Sequence, residues 1–232
     1  GDYRQWANPD TLHATTNYEL YKSLFSSFND SNFFELAYSL NREFGTQGIY
    51  RDLPTLYNFA DNHDVSRIAS KLHDKQQLHL LYFLLFTMPG IPSVYYGSEF
   101  GFQGMKQSDD WNLRPSFDLP QLQNQAHAHD LRGWIGHLAW LRQLQPALRF
   151  GGYEQVLVAS QQFAFSRETG DDCVVAAVNS AAEPTELTLP LRGKDNWRFV
   201  DLLNPEESFT CDSSGNLQIS MRPNQAMLLR NG

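Results

Sequence analysis

Three consecutive segments limit what this chain can fold into. Tyr57-Asn58-Phe59 favours an extended backbone. Lys75 to Met88 reads as a helix, apolar almost all round in its second half and therefore buried. Pro89-Gly90 stops it, and Ile91 to Tyr96 is extended again. Strand, helix and strand in that order predict a right-handed crossover with a parallel pair. In such architectures, functional side chains gather where the strands end. The first strand runs out into Asp61-Asn62-His63-Asp64 and the second into Gly97-Ser98-Glu99, with Arg67 one turn beyond the first cluster. Asp61 or Asn62 taken singly also fits a helix cap. The four polar side chains together, followed by Arg67, read as a site, with Asp61 in a supporting position and Glu99 as a structural strand-end charge.

Upstream, residues 1–16 have a loop composition. Apolar spacing predicts helices over 18–28 and 33–44, the second turning Phe34, Ala37, Leu40 and Phe44 inward. Residues 45–54 form a loop, and Ile68 and Leu72 mark a short helical turn after the cluster. Residues 100–128 are a long polar connection carrying Asp110-Trp111-Asn112-Leu113-Arg114. Connections of that length inside a compact domain are functional or disordered, and Trp111 with the Asp110/Arg114 pair argues for function. A helix over 130–148 places Leu131, Trp134, Ile135, Leu138, Leu141, Leu144 and Leu148 on one side.

At Gly151-Gly152 the texture changes to short alternating runs such as Phe163-Ala164-Phe165, Val174 to Val178 and Leu217 to Met221, separated by turns. This spacing predicts an antiparallel β-sandwich of about seven or eight strands. The chain therefore divides into a β/α part, 1–150, and an all-β part, 151–232.

Hydrophobic residues at 41% and aromatics at 13% suffice for a core. A net charge of −8 argues against nucleic acid or an anionic membrane and is compatible with neutral ligands such as sugars. The longest apolar run, Leu78 to Met88, is too short to span a bilayer. Cys173 and Cys211 show no metal spacing and read as buried free thiols. His127-x-His129 reads as a solvated helix start. No signal peptide is recognisable, and the compartment stays open, cytoplasmic being favoured over secreted.

With these segments placed, the chain resembles the α-amylase family of glycoside hydrolases. Phe59-Ala60-Asp61-Asn62-His63-Asp64 is similar to that family's conserved segment at the end of barrel strand seven. Gly90-Ile91-Pro92-Ser93-Val94-Tyr95-Tyr96-Gly97-Ser98-Glu99 is similar to its strand-eight segment. The resemblance implies a (β/α)8 TIM barrel followed by a C-terminal β-sandwich, here an incomplete barrel, because a full one takes about 250 residues. The family's nucleophile context, Gly-x-Arg-x-Asp, does not precede residue 57, and the strand-five Glu motif is missing too. The expectation is a portion comprising strands six to eight plus the sandwich, inactive alone, with an open barrel edge that either lets copies self-associate or is covered only alongside the missing half.

The resemblance further implies roles. Asp64 becomes the transition-state-stabilising carboxylate, and His63, Asn62, Arg67, Asp110 and Arg114 contact an α-glucan or maltooligosaccharide. No cofactor is evident, and Ca2+ remains possible in a longer parent protein. The alternatives are a non-catalytic carbohydrate-binding or assembly module, and a transglycosylase of the same family.

Overall fold

The computed structural model describes residues 2–8, 10–51, 56–118, 120 and 126–232, with side chains from 130 onward in the last stretch. The His127-x-His129 pair therefore lies outside the described side chains.

The first helices are α1, Tyr18–Asn29, and α2, Phe33–Phe44. Each starts on an asparagine: the Asn17 side chain accepts from the Leu20 amide and Asn32 from the Phe34 amide. Leu20, Leu24 and Phe28 share one buried face of α1 and meet Leu36, Ala37 and Leu40 of α2. Phe34, expected inward, stands exposed, because it falls just beyond the edge of that stripe.

Strand β1, Tyr57–Phe59, pairs in parallel with β2, Ile91–Ser93. A third extended segment ends the stretch expected to be loop: the Tyr57 amide donates to the Thr15 carbonyl at 2.8 Å and the Asn17 amide to the Tyr57 carbonyl at 2.9 Å. Its side chains carry no strand-like alternation, so only the pairing reveals it. The three segments form an open arc, and the described residues contain no closed barrel. Strand β2 stops at Ser93, short of the expected Tyr96. A buried polar chain ties the arc together. Asn17 Nδ2 donates to Glu43 Oε2 at 2.8 Å and to Asn58 Oδ1 at 3.0 Å, and Asn58 Nδ2 donates to the Pro89 carbonyl at 2.7 Å. Burial pushes the Glu43 carboxyl up to about 7, against the hydrogen bond from Asn17.

Between the strands lie α3, Ile68–Lys71, and α4, Leu78–Thr87, the latter buried along nearly its whole length. The carbonyls at the end of α4 are satisfied by two arginines from distant elements. Arg142 donates to the carbonyls of Phe86, Met88 and Gly90, and Arg167 to those of Thr87 and Gly151.

The helix expected over 130–148 is two: α5, Ala126–Leu144, and α6, Pro146–Phe150. Pro146 lacks an amide and opens the second helix at its first position. The break leaves Leu144 exposed rather than on the buried side.

From Gly152 the chain forms β3 Gly152–Val158, β4 Gln162–Thr169, β5 Asp172–Asn179, β6 Thr185–Pro190, β7 Arg198–Asp201, β8 Ser208–Thr210, β9 Asn216–Met221 and β10 Gln225–Asn231. Six of them make an antiparallel sheet in the order β3-β4-β5-β10-β7-β8, and β6-β9 forms the second layer. The expected incomplete β/α unit followed by a sandwich is borne out; β8, only three residues long, is a strand the sequence pattern does not reveal. Alternation divides the core. Val174, Ala176 and Val178 face the helices, whereas Cys173, Val175 and Ala177 face β6 and β9. The apolar core thus runs without a gap across residue 150. Cys173 and Cys211 are buried free thiols, and no helix among the described residues is long and apolar enough to cross a membrane.

Candidate functional site

Strand β1 delivers Asp61 to the interior and the next three residues to the surface. The Asp61 carboxylate accepts from the Ser98 hydroxyl at 2.7 Å and from the Ile68 amide at 2.8 Å. It thereby joins the ends of both strands and satisfies an amide at the start of α3. Burial pushes its carboxyl up, opposed by those two hydrogen bonds and by Arg67.

Beyond Asp61, the Asn62 side chain accepts from the Asp64 amide at 2.8 Å, closing a turn typical of asparagine. Its amide nitrogen lies 3.4 Å from the Tyr18 hydroxyl. The turn sets His63 and Asp64 side by side, with His63 Nε2 3.3 Å from Asp64 Oδ2. The long polar connection then arrives. Arg114 donates through Nε to the His63 carbonyl at 3.1 Å, and through one terminal nitrogen to Asp64 Oδ1 at 3.3 Å and Asp110 Oδ2 at 2.7 Å.

Lys106 donates to the Asp64 carbonyl at 2.7 Å and sits 3.8 Å from Asp110 Oδ1. Two carboxylates, two fixed cations and an imidazole thus meet on an open face, all partly solvent-accessible. Trp111, next to Asp110, is 80% exposed, and the Tyr95 ring lies 6.3 Å from that of His63. Sequence reasoning overlooked Lys106, which lies in a non-helical stretch of the connection where no periodic pattern marks it.

Arg67 corrects an expectation. It is 0% exposed, and its guanidinium is occupied by the carbonyls of Leu113 and Tyr96 and the Ser98 hydroxyl. Its carbon Cζ lies 4.3 Å from the Tyr95 ring centroid, with Tyr96 and Phe102 close by. A side chain so enclosed does not touch a ligand at the surface; it fastens the 95–113 connection to the strand ends. One carboxylate oxygen of Glu99 is buried with no donor among the described residues.

Among the described residues, no group of three or more His, Cys, Asp or Glu side chains converges to hold a metal ion. The cluster itself offers a fixed carboxylate, an imidazole and a braced ion pair.

The chain as a whole is similar to known proteins. The family model described as alpha amylase, catalytic domain, matches residues 2–145. A cyclomaltodextrin glucanotransferase of Bacillus licheniformis is 28% identical over 176 residues, covering 75% of this chain and 23% of the relative. One from Geobacillus stearothermophilus is 28% identical over 137 residues, 59% of this chain and 18% of the relative. The crystal structure of an Anoxybacillus alpha-amylase superposes over 100% of the chain and 50% of its own length, with a TM-score of 0.81 at 23% identity. The chain spans about a fifth to a quarter of the length of these sequence relatives.

Proposed function

The chain belongs to the α-amylase family, and from that premise we propose that it supplies the sugar-gripping part of an α-glucan-active retaining glycosidase. The observation that carries this reading is the convergence of His63–Asp64 with Asp110–Arg114 at the ends of parallel strands. Retaining glycosidases pass through an oxocarbenium-like transition state between two carboxyl groups about 5–5.5 Å apart. Asp64, fixed by its turn and by Arg114, is suited to a third role, that of a stationary negative charge beside the developing positive ring. His63 donates to hydroxyls of the same sugar, and Asn62 holds the turn while offering its amide nitrogen beside Tyr18. Asp110 and Arg114 contact the next sugar along the chain, with Trp111 available to stack. Lys106 keeps that loop against the Asp64 backbone.

The Gly-x-Arg-x-Asp context of the family's nucleophile does not precede residue 57, and its strand-five Glu motif is missing too. The chain by itself is therefore a binder with little hydrolytic turnover. A nitrophenyl maltooligosaccharide assay tests this: turnover on the scale of an intact amylase refutes it. Maltooligosaccharide binding in a calorimeter without cleavage supports it, and the absence of any binding heat removes the α-glucan reading. Transfer to a sugar acceptor instead of water is the second reading, favoured by the glucanotransferases among the sequence relatives.

A further inference from the structure

A cavity of about 500 Å³ lies at the junction of the helices and the sandwich, within the range of roughly 300–1,000 Å³ for small-molecule sites. One wall is aromatic, formed by His79 at the start of α4 and Trp134 of α5; the other is polar, formed by Asn204, Arg222 and Gln225. It shares no residue with the Asp64 cluster. We propose that this cavity, together with the exposed aromatic line of α5, is a second binding site for a neutral oligosaccharide. The proposal rests on the α-glucan reading above and adds a site to it.

The Trp134 indole N–H donates to the His79 carbonyl at 2.9 Å, so its polar edge is satisfied and the ring face is left for packing. The aromatic series continues out of the cavity along the helix. The rings of Trp134 and His137 are 6.4 Å apart, and those of His137 and Trp140 are stacked at 5.7 Å. Trp140 is 53% exposed. Gly133 and Gly136 lie beside this line, and a Cβ built on either meets open space. Glycine inside a helix is costly, and no described residue crowds these two positions; they keep the surface low where a flat ring would lie.

The polar wall completes a sugar-like complement. The Arg222 guanidinium has no hydrogen-bond or ion-pair partner among the described residues, and donors of this kind match hydroxyl edges while aromatic faces match the C–H faces of a ring. The Asp201 carboxylate beside it is already held by the amides of Leu203 and Leu228, at 3.1 and 3.0 Å. An anionic ligand is disfavoured by the net charge of −8, whereas an uncharged one is not.

The test titrates maltoheptaose into the 232-residue chain, following tryptophan emission and calorimetric heat. The same titration is run on the double variant Asp64→Asn/Arg114→Gln, and then on that variant carrying Trp140→Ala or Arg222→Gln. Both added positions line the surface, and far-UV circular dichroism confirms the fold. The expected result is that the double variant still binds with a change in tryptophan emission, and that either added substitution weakens this binding roughly tenfold, as loss of one good contact does. Retained binding that neither substitution alters overturns the second site. Binding by the unmodified chain that vanishes in the double variant also overturns it, while leaving the α-glucan reading intact. No binding by the unmodified chain removes both.

Discussion

Arg67 donates twice to the carbonyl of Leu113, 46 residues further along, at 3.1 and 2.7 Å. Through this contact the end of strand β1 holds the loop that brings Arg114 to Asp64. Leu113 precedes Arg114 directly, so its placement by Arg67 also sets where the Arg114 side chain can reach.

Replacing Arg67 should therefore cost both stability and binding. Arg67→Ala leaves buried acceptors unpaired next to Asp61, and a loss of roughly 3–5 kcal/mol is expected in urea denaturation. Arg67→Lys should recover little, because a single ammonium cannot reproduce the planar fork that spans Leu113, Tyr96 and Ser98. A lysine variant as stable as the original chain would contradict this.

Arg114 should behave in the opposite way. It is partly exposed, and exposed ion pairs contribute about 1 kcal/mol or less. Arg114→Ala should leave the urea midpoint nearly unchanged while weakening maltooligosaccharide binding at the Asp64 cluster by about tenfold. The two measurements together separate a ligand contact from a structural brace.

The Glu43 carboxyl, raised to about 7 by burial, predicts a particular pH dependence. Its folded value lies above its unfolded one, so the native state holds more protons between pH 4.5 and 7. The associated stability is full below about pH 4.5 and declines as pH rises through 7. Glu43→Gln should flatten that decline and gain up to about 2–3 kcal/mol relative to the parent at pH 8. Chemical denaturation at pH 5 and pH 8 reads the difference directly; parallel pH profiles for both proteins would count against it.

Arg167 reaches from β4 to the end of α4 and is buried, which pulls its pKa down to about 9. Arg167→Met strands the carbonyls of Thr87 and Gly151, and a loss of about 2–4 kcal/mol is expected. Because the core crosses residue 150, both parts should still unfold together; two separated transitions in calorimetry would show that the junction is weaker than its packing implies.

The open arc leaves strand edges at the segment ending in Asn17 and at β2. Unpaired edges of this kind recruit further strands. Light scattering should show self-association as concentration rises, and a clean monomer throughout would argue against it.

Much of this was readable along the chain. The order of strand, buried helix and strand follows from local periodicity, as does the series of short strands after Gly152. The helices over 18–28 and 33–44 are legible because their apolar spacing reflects contacts between near neighbours. The polar ending of β1 exposed the cluster for the same reason: four consecutive side chains at a strand end need something to face.

The tertiary structure alone decided what each polar residue does there. Arg67 and Arg114 look alike in sequence, each a single arginine near a carboxylate. One is sealed beneath three aromatic rings and the other lies open beside Asp64. The third strand segment was equally hidden, since its only signature is hydrogen bonding to a partner some 40 residues away. Backbone geometry repeats every two or 3.6 residues and so writes itself into local pattern. Burial and hydrogen-bond pairing across 40 to 50 residues depend on where the loops arrive, and nothing periodic in the chain records that.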